Sequence, residues 1–573
     1  MKRFTFSVML TLATLVGNAQ KTEPAHTWTK NFTTTEQAID LQRGAPMTID
    51  NEGNAIVTGT YTKDMEFSAS YLEALATSAF VVKYDKGGNV LWTAGLKGAA
   101  TITAVANDAE GNVYAAGVFA DIVEILDGKG DQQEIINGMD DQINQVSGFI
   151  VKYSKDGKYI ASKVIIPEQA RNDEGYGDPN PNFIPSKIAA SDGKVYLAVS
   201  FQGDSKISDN LKLVGQYGSL FGIYTWDIPT LAIVSLSDDF AQAELVAQLA
   251  ATDMETELGY GAESVNFTTD GSKVYAAFVA YGYDLTLKSA NASKHITDLL
   301  INDESGDTKY EHAYIIATIE NGNITNTQVY HSKIDDNLRD AKFNTVDEMA
   351  FANGNIYLAG TFNETFPFDN SKAYVGGCDA YLACLKATDL SKNWALTSYY
   401  NEGDVNKKAE IVSGMAVSND KVQIMGWAEA TATHTVEAPL NFTVNTNGTP
   451  SKMNVKAGSD AIFTTSVAFN AEGSIFQSDN RVMSDEDKAR EGTYTYSFYS
   501  NSATGINHVA TSDNTISWNG NSVVIAKSAD IAIYTTSGML VKKASNTTSM
   551  SLDNVASGIY MVKVGKQTIK IVK

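Results

Sequence analysis

The stretch Met47-Thr-Ile-Asp-Asn-Glu-Gly-Asn-Ala-Ile-Val-Thr-Gly-Thr-Tyr61 is the first unit of a repeat. A second stretch, Val105-Ala-Asn-Asp-Ala-Glu-Gly-Asn-Val-Tyr-Ala-Ala-Gly-Val-Phe119, superimposes on it without a gap. Both alternate apolar and polar residues around an Asp-x-x-Gly-Asn turn, which is typical of a two-stranded antiparallel hairpin. Weaker copies follow at Ile188 to Phe201, Val265 to Val279, Met349 to Phe362 and Met415 to Trp427. The sequence therefore shows six copies of one hairpin.

A second hairpin follows most copies of the first. It is visible at Ala79 to Trp92, at Gly148 to Gly157 and at Ala313 to Gly322, and we assign Asp379 to Trp394 and Asp460 to Ile475 to the second hairpins of the fifth and sixth units. Each unit therefore has four antiparallel strands, which cannot bury both sheet faces without neighbouring units. Such units are typical of a β-propeller, in which blades pack side by side around a ring. We predict an all-β fold with a six-bladed β-propeller.

The two ends of the repeat region leave an alternative open. His26 to Phe32 is similar to the fourth-strand segments that begin at Trp92 and Trp394, so it is expected to pair with the last blade and close the ring. A seven-bladed propeller, with an irregular extra blade from residues 477 to 500, is the alternative. The predicted propeller spans residues 26–480, followed by a linker at 481–504.

Residues 45 to 476 also resemble the bacterial propeller repeats with the pattern D-x-x-G-N-x-Y-x-x-G-x-F, followed by a Phe-rich hairpin. Those repeats occur in many surface and secreted proteins. The resemblance implies a fold, and it implies no particular activity, because one propeller scaffold serves many unrelated functions.

Residues 1–20 have the pattern of a secretory signal peptide. Lys2 and Arg3 precede an apolar run from Phe4 to Val16 and a small-residue stretch that ends at Ala19-Gln20. Removal of two of the 44 basic residues would leave 42 against 67 acidic ones and change the net charge from -23 to -25. So acidic a chain makes nucleic acid and membrane surfaces poor partners, and no membrane insertion is predicted. We expect Sec export to the periplasm.

The pattern changes after residue 504. Seven short strands are predicted between Thr515 and Val572, which indicates a small antiparallel β-sandwich at residues 505–573. Within it, Ala532 to Val541, Gly558 to Val564 and Ile569 to Lys573 resemble the C-terminal sorting domain of type IX secretion cargo. The resemblance implies contact with the type IX secretion machinery of a Gram-negative cell. It also implies a protein that is secreted or attached to the outer cell surface.

Three residues carry the sorting-domain motif. Gly538 suits a hairpin turn, Gly558 suits a tight start of a strand, and Tyr560 completes a G-x-Y sequence. We expect these residues to act through the fold of the domain.

Catalytic motifs are scarce. The six His residues are dispersed, and neither a zinc-binding nor a nucleophile motif is present. An alignment of the first strands places six residues at one level of the predicted channel: Ala45, Thr103, Ser186, Glu263, Asp347 and Ser413. Glu263 and Asp347 are the candidate catalytic residues, because glycoside hydrolysis uses a pair of carboxyl groups.

Three insertions interrupt the repeats at Ile122 to Val146, Ile165 to Phe183 and Leu285 to Tyr310, and we expect them to form rim loops. The first is acidic and could hold calcium, but its carboxylates follow no known calcium loop; no metal or other cofactor is predicted.

Apolar residues in 238–258 predict one helix. Cys378 and Cys384 are too far apart along one strand to form a disulfide.

These observations favour a secreted or cell-surface propeller that acts as a non-catalytic binding or scaffold protein, with an unknown glycan or protein ligand. Exposed aromatic residues on the rims could stack on sugars or grip a peptide. The alternative is a carbohydrate-active hydrolase or lyase that uses the channel carboxylates.

Overall fold

The computed structural model describes part of the chain in detail, in ranges separated by short gaps. These ranges are residues 25–34, 46–62, 64–67, 70–138, 145–168, 181–220, 224–251, 261–282, 285–297, 300–302, 308–310, 312–332, 344–363, 365–369, 378–397, 410–417, 421–428, 438–455, 462–469, 475–482, 492–500, 516–518, 522–535, 539–556, 558–564 and 567–573. The predicted signal peptide lies outside them. Every regular element in the described ranges is a β-strand.

Tertiary contacts divide the chain into two units, one of residues His26–Tyr499 and one that contains Ser500–Lys573. The larger unit contains seven antiparallel sheets of at least four strands within the described residues, here called sheets I to VII. In each sheet the four principal strands lie in chain order, from a first strand to a fourth.

The strands of sheets I to IV share this order and have the following bounds. Sheet I has β2 (Met47–Ile49), β3 (Ala55–Tyr61), β6 (Ser78–Tyr84) and β7 (Val90–Lys97). Sheet II has β8 (Ala100–Asn107), β9 (Val113–Phe119), β12 (Ser147–Tyr153) and β13 (Tyr159–Ile165). Sheet III has β14 (Asn182–Ser191), β15 (Lys194–Gln202), β20 (Thr230–Ser237) and β21 (Ala243–Ala251). Sheet IV has β22 (Gly261–Thr269), β23 (Lys273–Tyr281), β28 (His312–Glu320) and β29 (Asn323–Ser332).

The last three sheets follow the same pattern, except that the N-terminal strand completes the final one. Sheet V has β30 (Glu348–Ala352), β31 (Asn355–Phe362), β32 (Asp379–Lys386) and β33 (Lys392–Thr397). Sheet VI has β34 (Glu410–Val417), β35 (Lys421–Ala428), β36 (Ala438–Asn445) and β37 (Pro450–Val455). Sheet VII has β38 (Ile462–Phe469), β39 (Ile475–Val482), β40 (Gly492–Ser500) and, as its fourth strand, β1 (Ala25–Thr34).

The larger unit has seven sheets in its described part, whereas the repeats in the sequence predicted six blades. The second hairpin of sheet VI is β36 and β37, whose turn at Asn445 to Thr449 lacks the Asp-x-x-Gly-Asn pattern. The segment first assigned to that hairpin instead begins sheet VII. Residues 492–500, predicted as linker, form β40, and β1 pairs with it. The N-terminal segment thus joins the last sheet, as predicted.

Neighbouring sheets pack face to face, and this packing includes the last sheet and the first. Each first strand contacts the first strand of the next sheet, and β38 contacts β2. A buried cluster lies between sheets VII and I and includes Trp28, Ile49, Ala468 and Phe498. Because burial of both sheet faces is the main source of stability, each sheet depends on its two neighbours.

Two of the predicted rim loops are instead hairpins that extend the preceding sheet. β10 (Ile122–Leu126) and β11 (Gln132–Asn137) add to the β7 edge of sheet I. β24 (Leu285–Lys288) and β25 (Ser293–Thr297) add to the β21 edge of sheet III. Each insertion therefore covers the outer edge of the sheet before it, where free backbone groups would otherwise be exposed.

Four small hairpins complete the larger unit, and residues 169–180 of the remaining insertion lie outside the described ranges. They are β4 (Met65–Phe67) with β5 (Ser70–Leu72), β16 (Ser205–Ser208) with β17 (Leu211–Leu213), β18 (Gln216–Leu220) with β19 (Tyr224–Ile228), and β26 (Leu300–Asn302) with β27 (Thr308–Tyr310).

The predicted helix at 238–258 is wrong for residues 238–251, and residues 252–258 lie outside the described ranges. Residues 243–251 form strand β21, and Asp238 to Gln242 form the tight turn before it. Strand β21 is covered by β20 on one side and β24 on the other, and Val246, Ala247 and Leu249 are buried. A short buried strand in the middle of a sheet is apolar on both faces, so its sequence cannot be distinguished from a buried helical segment.

The C-terminal unit contains five described strands: β41 (Ile516–Trp518), β42 (Ser522–Thr535), β43 (Leu540–Ser551), β44 (Ile559–Val564) and β45 (Gln567–Val572). The prediction of seven strands is wrong, because two pairs of predicted strands each run together as β42 and β43. These two strands pair through several register shifts. They help to enclose a buried cluster that includes Val523, Ile533 and Val562.

Trp28 provides a test of the contact between sheets VII and I. Its indole is 8% exposed, stacks on Phe498 at 5.7 Å and packs against Gly88. The substitution Trp28→Ala should lower the free energy of unfolding of the larger unit by about 3–5 kcal/mol, because a large buried ring is lost. Denaturant unfolding followed by circular dichroism measures this change.

Trp518→Ala in the C-terminal unit is the matched control. It should leave the unfolding transition of the larger unit in place. An unchanged transition in the Trp28 variant would contradict the packing described above.

Candidate functional site among the first strands

The first strands share a backbone irregularity at one level. Five of them carry a β-bulge, an extra residue without a partner on the second strand. The bulge residues are Thr103, Ser186, Glu263, Ser413 and Thr465. Asp347 occupies the corresponding place before β30, since Gly360 faces Thr345 as Gly117 faces Thr101. The register therefore puts Glu263 and Asp347 at the same level of neighbouring sheets, as the alignment predicted.

Glu263 contacts a histidine of its own sheet. Its Oε1 lies 3.0 Å from Nε2 of His312, and the side chain of Glu263 is 7% exposed. The ring of Tyr281 meets the His312 ring edge-on at 5.1 Å. The second oxygen, Oε2, is buried without a hydrogen-bond partner in the described protein. A buried carboxylate oxygen in this state is available to a donor from a ligand or water.

Asp347 has a different environment. Its Oδ2 accepts a hydrogen bond of 2.8 Å from the hydroxyl of Thr345, two residues earlier. Its backbone carbonyl accepts 2.7 Å from the side-chain amide of Asn266 in sheet IV. The contacts of Asp347 thus differ from those of Glu263, and the carboxylate of each residue is held by a separate partner.

A lysine that the sequence analysis did not select connects three sheets. Lys187 follows the bulge of sheet III, and its Nζ donates 2.7 Å to Oδ1 of Asn266 in sheet IV. The same Nζ donates 3.4 Å to the carbonyl of Met349 and lies 3.9 Å from the carboxylate of Glu348, both in sheet V. Asn266 is buried, so its amide fixes the position of the lysine.

Partial burial shifts the pKa values of Lys187 and Glu348. Desolvation raises the pKa of Glu348, an effect that Lys187 opposes and that Asp347 increases. Desolvation also lowers the pKa of Lys187, against the attraction of Glu348. Both shifts reduce the tendency of the pair to be charged. Groups with such shifts at one end of neighbouring strands are typical of functional sites.

Sequence reasoning missed Lys187, Glu348, Asn266 and His312. One signal was available, because Lys187 and Glu348 each stand one residue after an aligned bulge position. The partners are far apart in sequence, and a single sequence carries no pairing information between residues 187, 266 and 348. His312 begins a third strand, and only the register brings it to Glu263.

The sorting-domain residues lie in the C-terminal unit. Tyr560 is 8% exposed, and its hydroxyl donates 2.7 Å to the carbonyl of Ala556. The backbone of Gly558 exchanges two hydrogen bonds with Lys573. An added Cβ at Gly558 would first meet the Tyr560 hydroxyl, at 3.5 Å, which is an ordinary contact, so no steric need for glycine is visible there. Gly538 lies outside the described residues.

The sequence suggested the acidic insertion as a calcium site. Two of its carboxylates accept hydrogen bonds from other groups of the protein. Asp127 accepts backbone hydrogen bonds from Lys129 and Asp131, and Glu134 accepts from Tyr159 and Ser162. Within the described part of the chain, no group of three or more His, Cys, Asp or Glu side chains has a metal-binding arrangement. Asp140 and Asp141 lie outside that part.

Comparison with known proteins identifies the end of the chain. Residues 510–573 match the family described as "Secretion system C-terminal sorting domain". This match supports the interpretation of the protein as cargo of the type IX secretion system, secreted to the outer cell surface. A search of curated proteins finds no significant match. Among the described residues, no helix has the length and apolar character needed to span a membrane.

Solved structures with similarity to the chain have low sequence identity. Quinohemoprotein alcohol dehydrogenase from Comamonas testosteroni is 10% identical, with 87% of this chain and 79% of that chain covered and a TM-score of 0.38. The parainfluenza virus 5 hemagglutinin-neuraminidase ectodomain is 10% identical, with coverages of 82% and 84% and a TM-score of 0.32. A Mycobacterium tuberculosis puromycin-hydrolyzing peptidase is 10% identical, with coverages of 89% and 62% and a TM-score of 0.35.

The pH dependence of stability tests the Lys187–Glu348 pair. Because the folded chain holds a proton on Glu348 more tightly than the unfolded chain does, folding takes up protons as the pH falls toward the usual value of 4.5. Wild type should therefore gain stability relative to Glu348→Gln between pH 7 and pH 4.5. Thermal unfolding across this range measures the difference.

The exposed turn residue Glu52 provides the control, and Glu52→Gln should follow the wild-type profile. A difference between wild type and Glu348→Gln that stays constant or shrinks on acidification would be inconsistent with a half-buried, proton-retaining Glu348.

Proposed function

We propose that the protein is an exported, non-catalytic binding or scaffold protein built on a closed, seven-bladed β-propeller. The sorting domain matched at residues 510–573 carries this proposal, because it gives the chain an extracellular destination. In this proposal, residues 1–20 direct Sec export and are removed, and the domain that begins near residue 505 engages the type IX machinery. The exported protein, released or held at the cell surface, binds a glycan or a protein.

The contacts of the larger unit support a closed ring. The seven first strands contact one another in sequence, and the seventh contacts the first. Sheet VII combines strands from both ends of the unit, since β1 pairs with β40. In this arrangement each blade is the neighbour of two others, which leaves few exposed sheet faces and edges.

The use of carboxylates within the fold supports a non-catalytic role. Asp50, Asp85 and Asp108 each accept the backbone and side-chain amides of the Asn four residues later, so their negative charge serves the turns. Glu263 contacts His312, and Asp347 accepts a hydrogen bond from Thr345. A glycosidase pair needs a shared space between its carboxyl groups and a raised pKa on one of them.

A carbohydrate-active hydrolase or lyase is the second candidate. The buried Oε2 of Glu263 and the raised pKa of Glu348 favour it, because such groups can accept or donate protons. A screen of glycans for cleavage by the mature chain, with Glu263→Gln and Asp347→Asn in parallel, separates the two functions. The proposal predicts that wild type and both variants release no products. Cleavage by wild type that either variant abolishes would establish the second candidate.

Removal of residues 505–573 should stop export at the periplasm. The expected result is a folded larger unit in the periplasmic fraction and none outside the cell, measured by immunoblot of fractions. The matched control is Tyr534→Phe, which keeps the domain and should be exported as wild type is. Normal export of the truncated chain would overturn the sorting assignment.

A further inference from the structure

A tryptophan recurs at three contacts between neighbouring sheets. Trp28, Trp92 and Trp394 lie in fourth strands, and each packs against a glycine in the turn before the fourth strand of the next sheet. These glycines are Gly88, Gly157 and Gly448, all with positive φ, and an added Cβ would lie 2.7 to 2.8 Å from the indole. The indole nitrogens of Trp92 and Trp394 donate 2.9 Å to the carbonyls of Lys155 and Thr446.

Sheets I and II each place a lysine against the next sheet, and in sheet I it stands opposite Trp92. Lys83, opposite Ile56, pairs with Asp50 at 2.8 Å and also donates to the Lys155 carbonyl. In sheet II, Lys152, opposite Tyr114, contacts Asp238 of sheet III at 2.6 Å. A long cationic side chain and its acid therefore occupy the region between these sheets and leave little room for a ligand.

Sheet V has short residues at the equivalent positions. Cys384, opposite Tyr357, stands where sheets I and II have lysine. Ala352 pairs with Asn355 in sheet V. It occupies the position that Asp50 has in sheet I, where Asp50 faces Asn54. The ion pair of sheet I is thus absent between sheets V and VI.

A cleft between sheets V and VI has a volume of about 500 Å³, within the usual range for small-molecule sites. Its lining residues are Asn353, Asn355, Tyr357, Thr446 and Asn447. Three amides and two hydroxyl-bearing residues form this lining, and none is charged at neutral pH. Burial and the nearby Cys384 raise the pKa of Tyr357 to about 12, so its phenol stays neutral.

The amides of this cleft are partly fixed by the protein. The Asn355 amide donates 3.2 Å to the Asn353 carbonyl, and its Oδ1 accepts 3.4 Å from Asn393. Each amide offers two donor hydrogens and an acceptor with two lone pairs, so both Asn353 and Asn355 retain hydrogen-bonding capacity for a ligand. Mixed donors and acceptors without charge match hydroxyl groups, which both donate and accept.

We propose that the cleft between sheets V and VI binds a neutral carbohydrate. This proposal rests on the binding function proposed above and adds a ligand class and a location. Acidic glycans are disfavoured, because the lining offers them no cation and the chain carries a formal net charge of -23. Apolar ligands are disfavoured because the amides would lose their hydrogen bonds to water without replacement.

The test is binding of the mature protein to an array of neutral and uronic-acid glycans, followed by titration calorimetry with the neutral oligosaccharide that gives the strongest signal. Asn447→Phe places a ring over the cleft from an exposed turn position. Asn51→Phe makes the same change at an exposed turn of sheet I. We expect at least a tenfold loss of affinity for the first variant and no change for the second.

A second variant removes hydrogen-bonding groups from the lining. Asn355→Leu should weaken binding at least tenfold because the side-chain amide is lost, with thermal unfolding as the check that the chain is folded. Equal binding by wild type and Asn447→Phe overturns the proposed site. Binding confined to acidic glycans or to a protein also overturns it and leaves the general binding function intact. Cleavage of a bound glycan would contradict the non-catalytic function and leave the cleft in place.

Discussion

Trp28 packs between Phe498 of its own sheet and Gly88 of sheet I, and this contact joins segments from the two ends of the larger unit. The other sheets depend on it because each sheet buries one face on the sheet before and one on the sheet after. Without the last contact, sheets I and VII would each expose an apolar face to water. Local hairpin propensity cannot compensate for such a loss, since isolated hairpins are marginally stable.

The same repeated unit has different chemistry at different places around the larger unit. Between sheets I and II, Lys83 and Asp50 form a buried ion pair beside Trp92. Such a pair stabilises little by itself, but loss of one partner would leave a buried charge, so the two residues depend on each other. At Ala352 and Cys384 of sheet V both partners are absent and the fold is retained. Sequence variation between the sheets thus changes their contacts without a change of architecture.

The all-β class and the four-stranded unit could be predicted, because the alternation around Asp-x-x-Gly-Asn turns is a local property of the sequence. The role of His26 to Phe32 was also visible through its similarity to the segments at Trp92 and Trp394. A seventh unit was predicted only as the alternative, from residues 477 to 500, because the turn at Asn470-Ala-Glu-Gly-Ser, which resembles the turn at Asp50, had been assigned to a second hairpin. Strand β21 was predicted as helix, since burial on both faces removes the period of two.

The candidate site was less predictable than the fold. The level of Glu263 and Asp347 follows from the alignment, whereas the contacts of Lys187 with Asn266 and Glu348 depend on how three sheets stack. The lining of the cleft combines residues of sheet V with Thr446 and Asn447 of sheet VI, and a single sequence does not show that these two segments lie side by side.

A disulfide between β1 and β40 tests the closure of the ring most directly. The hydroxyl oxygens of Thr29 and Ser497 lie 3.1 Å apart, and the two cysteines of the natural chain are buried. In the double variant Thr29→Cys, Ser497→Cys, the new thiols should form a disulfide under mild oxidation of the folded protein, measured by mass spectrometry of a tryptic digest, and the midpoint of thermal unfolding should rise. Two free thiols in a folded, oxidised sample would contradict the account.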